Sequence, residues 1–214
     1  MVRSLLILII SFNVFSKENL NEEVFKQLVE LIESDSATQS FIISNDNEVV
    51  HEYYGDGYTR DDLATSWSIS KTFYAALFGV AIEKGLISYS DLQKPISFFI
   101  PELIEDSKSQ LTLYNLLAMR SGLEITEYLN EEMFFSIDNL DFAMNAQPAM
   151  PQGEIYEYNN VNTMLLNPII KSIFKEEPHN VLIKEIFDPL GIDRYGLWSD
   201  SAGNDMTYYG IDLM

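Results

Sequence analysis

Residues 65–72, "TSWSISKT", stand where a polar lead-in gives way to the apolar run "FYAALFGVAIEKGL". Within them, Ser68 and Lys71 form the pattern S-x-x-K. Residues three apart share one face of a helix, so the sequence predicts that the serine hydroxyl and the lysine amine touch in the first turn of a buried helix. There the lysine could serve as a general base if desolvation kept it neutral, or as a cation that steers proton transfer if it stayed charged.

The pattern alone is weak, because serine and lysine are common and an exposed first turn with a solvated lysine fits it equally well. The residues that follow the pattern strengthen the prediction. Four small residues in the run predict that this helix packs closely and holds its first turn rigidly. They are Ala75, Ala76, Gly79 and Ala81.

A second candidate piece is "PQGEIYEYNNVNTMLL", residues 151–166, in which Tyr158 and Asn160 form Y-x-N at the predicted start of a helix. The phenol could relay a proton from Ser68, and the amide could hold Lys71 or a substrate carbonyl. The structural alternative is a buried tyrosine with a satisfied hydroxyl and an asparagine that caps the helix. Tyr156 offers an alternative phenol for the role of Tyr158.

Other chemistries have little support in the sequence. Its two histidines are His51, in a strand-like segment, and His179, beside a proline in an acidic turn; both are expected to be structural or solvated. The chain has no cysteine, and it lacks the motifs G-x-S-x-G, G-x-G-x-x-G and G-x-x-x-x-G-K-[ST]. No metal site and no cofactor are therefore predicted.

The start of the chain predicts its compartment. Residues 1–16, "MVRSLLILIISFNVFS", have the basic start, apolar run and small terminal residues of a signal peptide. Cleavage would make the protein periplasmic or secreted, without stable membrane insertion; an uncleaved tether is the alternative, although the run is shorter than the ~20 apolar residues of a spanning helix. The net charge of −20 disfavours nucleic acid and anionic lipid as partners.

The order of predicted elements indicates the fold class. An amphipathic helix from Asn21 precedes a hairpin around residues 45–47, and a helical block follows over about 86–190, in which Pro168 should kink or split one helix. The last twenty or so residues are expected to be irregular. The pattern predicts one α+β domain, residues 17–214, with an antiparallel sheet flanked by helices and an inserted helical subdomain.

Five blocks in this order resemble the serine β-lactamase-like superfamily. The likeness is to its class C-like branch of penicillin-binding-protein-type esterases, D-aminopeptidases and 6-aminohexanoate-oligomer hydrolases, and it spans the chain from about Phe41 to the end. The blocks are "SWSISKTFYAALFGVAIEKGLIS", "LTLYNLLAMRSGL", "GEIYEYNNVNTMLL", "IFDPLGI" and "WSDSAGN".

The resemblance implies hydrolysis of a small-molecule amide or ester through an acyl-enzyme, without metal or organic cofactor. Ser68 would be the nucleophile, Lys71 its activating partner and Tyr158 the proton relay, chosen over Tyr156 by its place in the motif; Asn160 would bind substrate. An esterase or amide hydrolase is favoured over a true β-lactamase. The alternative is a non-catalytic remnant or binding module of the same fold.

The end of the chain departs from the family pattern. Family members carry a third motif, Lys or His followed by any residue and Gly, on a strand that lines the site, and this sequence contains neither K-[ST]-G nor H-x-G. Relatives continue into further strands and a terminal helix. The expectation is that these residues are the front part of a longer hydrolase, or the product of an interrupted gene, with the C-terminal strands missing. The chain alone is expected to be weakly active or inactive. The sequence predicts no oligomeric state.

Overall fold

A computed structural model describes residues 22–126 and 128–214. The predicted signal peptide, residues 1–16, and the predicted helix cap at Asn21 lie outside these ranges. The chain divides into two compact units, Met1–Asp62 and Leu63–Met214. None of the helices within the described ranges combines the length and the apolar character that crossing a bilayer requires.

The described residues of the first unit, from Glu22 onward, form one helix and the predicted hairpin. The helix α1 is Glu22–Ser34, and the strands β1, Ser40–Asn45, and β2, Glu48–Tyr54, pair in antiparallel fashion. Asp46 and Asn47 make the turn with φ angles of 49° and 63°, which confirms the prediction that the turn needs residues tolerant of left-handed geometry.

The second unit is mostly helical and contains one small sheet. Short 3₁₀ turns connect several of its helices, notably Trp67–Ile69 directly before α2 and Tyr89–Gln93 after it. The strands are β3 (Ala64–Thr65), β4 (Tyr195–Leu197) and β5 (Ile211–Leu213), and the helices are α2 (Ser70–Glu83), α3 (Leu113–Leu117), α4 (Leu129–Phe135), α5 (Asn139–Asn145), α6 (Asn160–Met164), α7 (Leu166–Phe174), α8 (Pro178–Leu182) and α9 (Asp188–Leu190).

Helix α2 is the central element of this unit, but only Ala81 of the four small residues that were predicted to allow close packing is buried. Tyr74, Leu77, Phe78 and Ala81 are buried and contribute to the hydrophobic core, and α2 contacts α7 and α8. The other predicted packing residues, Ala75, Ala76 and Gly79, are exposed. The prediction was wrong for these three because the run is apolar on all sides, so sequence periodicity could not single out the buried face.

Proline shapes the two helical segments near the end of the block. The predicted split at Pro168 is confirmed: α6 ends at Met164 and α7 begins at Leu166. Proline lacks the N–H that would bond the carbonyl four residues earlier, which here belongs to Met164. In the next segment a π-helical stretch, Ile183–Phe187, joins α8 to α9, which contains Pro189.

The expectation of an irregular tail was wrong. Residues from Tyr195 onward supply β4 and β5, and β5 lies between β3 and β4 in an antiparallel sheet of order β3-β5-β4. The strands are only two or three residues long, so they show no alternation that sequence reading could detect. Small antiparallel sheets with packed helices confirm the α+β fold class.

Candidate active site

The predicted contact between Ser68 and Lys71 is present. Ser68 lies in the 3₁₀ turn that leads into α2, and Lys71 lies in the first turn of that helix. The Lys71 Nζ is 3.0 Å from the Ser68 Oγ and 2.9 Å from the carbonyl oxygen of Tyr208. The amine therefore bridges the serine hydroxyl and a backbone carbonyl from the far end of the chain.

Lys71 is an unusually buried lysine. Only 8% of its surface is exposed, which rules out the solvated first turn considered above. Burial lowers the pKa of its amine to about 7, because an ammonium group loses hydration in this environment. No carboxylate hydrogen-bonds to the Lys71 amine within the described residues, so a substantial neutral fraction exists at physiological pH.

Three tyrosine rings surround this amine. The Lys71 Nζ lies 5.0 Å from the ring centre of Tyr158, 5.9 Å from that of Tyr208 and 4.9 Å from that of Tyr209. Aromatic faces attract a cation, so the rings partly offset the loss of hydration when the amine is protonated. The same rings exclude water, which favours the neutral amine.

Tyr158, from the Y-x-N motif, lies near both Lys71 and Ser68. Burial raises the pKa of its phenol, and a hydrogen bond with the Ser68 side chain acts in the opposite direction without reversing the rise. The phenol is therefore neutral at physiological pH and can donate a proton. Tyr158 is 42% exposed and the alternative Tyr156 is 61% exposed, so burial separates the two only modestly.

Asn160 lies beside the site but does not hold Lys71. Its side chain is fully buried, and its Nδ2 donates to the Tyr209 hydroxyl at 3.3 Å. Its Oδ1 is buried without a hydrogen-bond partner among the described residues. The capping role considered for this motif belongs to its neighbour Asn159, whose side chain accepts the Val161 N–H at 2.9 Å.

Sequence reasoning missed the tail residues that complete the site. Tyr208 and Tyr209 come from the segment that was expected to be irregular, and Tyr209 also packs edge to face with Trp67 at 5.6 Å. The segment "TYYG", residues 207–210, carried a signal for a packed turn, because two aromatic residues directly precede a glycine.

The residue before the serine has a strained backbone. Trp67 has a φ of 46°, although it is neither glycine nor a small polar residue. A bulky side chain in this region is an outlier that persists only where its surroundings enforce it, and such strain clusters at functional sites. Trp67 is held between Trp198 and Tyr209 by ring contacts.

Both histidines have structural partners, in agreement with their predicted role. The His51 ring packs edge to face on Phe25. The His179 Nδ1 lies 2.9 Å from Asp205 Oδ1, and its backbone N–H donates to the same carboxylate at 2.8 Å. Burial acts to raise the pKa of the Asp205 carboxyl, but these bonds outweigh it and the pKa is lowered. Across the described ranges, no cluster of three or more metal-ligating side chains occurs.

Comparison with curated proteins finds a partial relative. Over 93 residues the chain is 27% identical to the 6-aminohexanoate-dimer hydrolase of Paenarthrobacter ureafaciens, a match that covers 44% of this chain and 23% of that protein.

Solved structures share the fold over much more of the chain. A candidate 6-aminohexanoate-dimer hydrolase from Bacillus anthracis superposes with a TM-score of 0.74 at 21% identity, over 88% of this chain and 53% of that one. The octameric penicillin-binding protein homologue from Pyrococcus abyssi gives a TM-score of 0.69 at 19% identity, over 91% and 54%. The chain thus spans about half the length of these two structures.

The family assignment follows from the chain as a whole. The serine, the buried lysine and the tyrosine meet on an α+β scaffold that these solved structures share. The family model for beta-lactamases matches residues 22–212, which is most of the sequence. The chain belongs to the beta-lactamase family.

Proposed function

We propose that this chain forms the nucleophile-bearing part of a serine hydrolase that cleaves an amide or ester bond through an acyl-enzyme on Ser68. The observation that carries the proposal is the 3.0 Å approach of the Lys71 amine to the Ser68 hydroxyl, together with the burial of that amine. A lysine with a pKa of about 7 can accept a proton at physiological pH, which an ordinary lysine cannot do efficiently.

In acylation, neutral Lys71 takes the proton of the Ser68 hydroxyl as the Oγ forms a bond to the substrate carbonyl carbon. The resulting tetrahedral oxyanion collapses, and the C–N or C–O bond to the leaving group breaks. The leaving group needs one proton, which passes from the Lys71 ammonium through the Tyr158 hydroxyl. These transfers leave Lys71 neutral and Ser68 acylated.

In deacylation a water molecule adds its oxygen to the acyl carbon. Its proton goes to the same Tyr158 and Lys71 pair and then returns to the Ser68 Oγ as the acid departs. Tyr158 fits this relay because its phenol is neutral and interacts with Ser68. Fixed groups of this kind contribute by positioning and by matching the proton affinity of the base to the working pH.

Asn160 belongs to the substrate side of the site in this proposal. Its Nδ2 holds the Tyr209 hydroxyl, so it fixes one of the aromatic walls around Lys71. Its Oδ1 has no hydrogen-bond partner among the described residues and is fully buried, so it accepts a substrate N–H only once a side chain that covers it moves aside. The names of the relatives, which include a hydrolase of a 6-aminohexanoate dimer, favour small linear substrates.

The test is covalent labelling of the 214-residue chain with a fluorophosphonate, followed by intact-mass spectrometry. A serine oxygen that displaces fluoride adds one phosphonyl group. We expect one adduct on the parent protein and none on Ser68→Ala. The matched control is Ser70→Ala, since Ser70 is a buried serine two residues away whose hydroxyl has no hydrogen-bond partner in the described residues; it should label like the parent.

The pH dependence of labelling tests the role of Lys71. Because the neutral amine is the active form, the labelling rate should rise with pH through a midpoint of about 7. Lys71→Arg should lower the rate by about 10²- to 10⁴-fold, since a guanidinium stays charged. An adduct that persists in Ser68→Ala, or a folded parent protein that does not label at pH 8, would overturn the proposal.

A further inference from the structure

Lys71 needs a fixed orientation as well as a low pKa. A neutral amine has two N–H groups and one lone pair, and only the lone pair can take the Ser68 proton. The Tyr208 carbonyl, 2.9 Å from the Lys71 Nζ, can only accept hydrogen bonds, so it takes one N–H in either protonation state. This carbonyl therefore holds one N–H away from Ser68, so that only the lone pair and the second N–H compete for the direction of Ser68.

The Tyr208 carbonyl lies in a short loop rather than in a strand. The loop is anchored at both ends by Trp198, whose carbonyl accepts the Met206 N–H at 3.1 Å and whose N–H donates to the Gly210 carbonyl at 2.9 Å. Between these anchors no strand pairing fixes the backbone. Side chains must then determine where the carbonyl points.

The side chain of Tyr208 is tied to Asn139. The Tyr208 hydroxyl donates to the Asn139 Oδ1 at 2.6 Å, and both residues are fully buried. Burial raises the pKa of the Tyr208 phenol, so it keeps the proton that this bond requires.

Asn139 itself is locked in one orientation. Its Nδ2 donates to the Met133 carbonyl at 2.6 Å and to the Ser136 carbonyl and hydroxyl at 3.1 Å and 2.9 Å. Its backbone N–H donates to Asp200 Oδ2 at 2.8 Å. With oxygen acceptors around the amide nitrogen, the amide oxygen has to face Tyr208, so this amide cannot flip without losing its bonds.

We propose that Asn139 is a positioning residue for the candidate active site, which acts through the Tyr208 ring and carbonyl to orient the Lys71 amine. Among the described residues, Asn139 makes no hydrogen bond to Ser68 or to Lys71. The link runs from an amide at the start of α5, across the buried phenol, to the backbone carbonyl that receives the lysine. The catalytic meaning of this link rests on the proposed function, whereas the link to Lys71 can be measured without any reaction.

The experiment follows Lys71 by NMR in the full chain labelled with ¹³C-lysine, and Lys71→Arg identifies its signal. Tyr208→Phe keeps the ring but removes the hydroxyl. We expect the titration midpoint of Lys71 to fall by about half a pH unit, because loosening a charge-assisted hydrogen bond removes part of what favours the ammonium. Asn139→Ala should cause the same fall, and the double variant should show no further change.

The matched control is Tyr74→Phe, a buried tyrosine on α2 whose hydroxyl has no hydrogen-bond partner among the described residues. It should leave the Lys71 midpoint unchanged. If Asn139→Ala fails to fold, Tyr208→Phe decides alone. An unchanged midpoint in Tyr208→Phe, or a further shift in the double variant, would overturn the inference.

Fluorophosphonate labelling of the same variants separates this inference from the proposed function. Tyr208→Phe should label Ser68 about tenfold more slowly at high pH, since small misplacements of a base lower rates strongly. A Lys71 midpoint that moves in a protein that never labels would refute the proposed function and keep the positioning link. Normal labelling of Ser68 with an unmoved Lys71 midpoint would support the proposed function and refute the positioning link.

Discussion

At the scale of single residues, Lys71 combines two properties that oppose each other. Its burial, with 8% of its surface exposed, makes the amine a usable base. The same burial destabilises the folded protein whenever the amine is charged, because an ammonium that is well hydrated in the unfolded chain loses water on folding. A functional group of this kind is expected to lower stability in exchange for reactivity.

The pH dependence of the difference in stability between Lys71→Met and the parent should reveal this destabilisation. The folded pKa of about 7 lies below the ordinary value of 10.5, so the destabilisation is complete below pH 7 and declines as pH rises between these values. Lys71→Met removes it. The gain in unfolding free energy over the parent should be about 2.5 kcal/mol larger at pH 6 than at pH 9.

Urea unfolding at both pH values measures this difference. Lys84→Met provides the comparison, since Lys84 lies just after α2, pairs with Glu185 and is about half exposed. Its effect should vary little between pH 6 and pH 9. A gain for Lys71→Met that is equal at the two pH values would mean that its amine titrates normally.

At the scale of elements, the junction of β4 and β5 brings the tail to the site. Gly210 directly precedes β5, with a φ of 87°, and a Cβ built on it would lie 2.4 Å from the Trp198 Cβ. Asp212 on β5 accepts hydrogen bonds from Thr65 and from the Trp198 indole, at 2.7 Å and 2.9 Å, which ties β3 to the tail. The position of Tyr208 and Tyr209 therefore depends on a close approach that only glycine permits.

Gly210→Ala should destabilise the protein much more than Gly203→Ala. Both glycines have left-handed φ angles, 87° and 90°, but a Cβ on Gly203 would meet nothing within 4 Å. Gly203→Ala should then lower the unfolding free energy by about 1 kcal/mol through backbone strain alone, and Gly210→Ala by roughly 2–4 kcal/mol, since it adds a clash with a side-chain stem. Denaturant unfolding compares them, and equal losses would show that the approach to Trp198 relaxes freely.

At the scale of the whole molecule, charge is the dominant feature of the sequence. The net charge of −20 on 214 residues produces self-repulsion that opposes the compact state. Repulsion between exposed charges is screened over about 10 Å at 0.1 M salt. The local ion pairs of the described residues, such as Lys26 with Glu30, are mostly exposed and contribute little.

Added salt should therefore stabilise this protein. Raising sodium chloride from 20 mM to 300 mM should increase the unfolding free energy by on the order of 1 kcal/mol, since net repulsion outweighs the exposed pairs. Urea midpoints at constant pH measure this, with potassium chloride as a check that the effect is not specific to sodium. A midpoint that falls with salt would mean that attractive pairs dominate.

The sequence by itself determined the features that depend on neighbours along the chain. The spacing of Ser68 and Lys71 sets their contact within one turn, and the Asp46 and Asn47 pair forms the hairpin turn. Pro168 splits its helix because proline has no backbone N–H, whatever the rest of the fold. The family resemblance also came from ordered local motifs, and the family model confirms it.

Only the tertiary structure decided which groups surround the lysine. The Tyr208 carbonyl reaches Lys71 across 137 positions of sequence, and the Tyr208 hydroxyl reaches Asn139 across 69. Such contacts have no period, spacing or propensity that a single sequence displays. The sequence also left undecided which face of the apolar run in α2 is buried, because burial depends on the partner surfaces as well as on the helix.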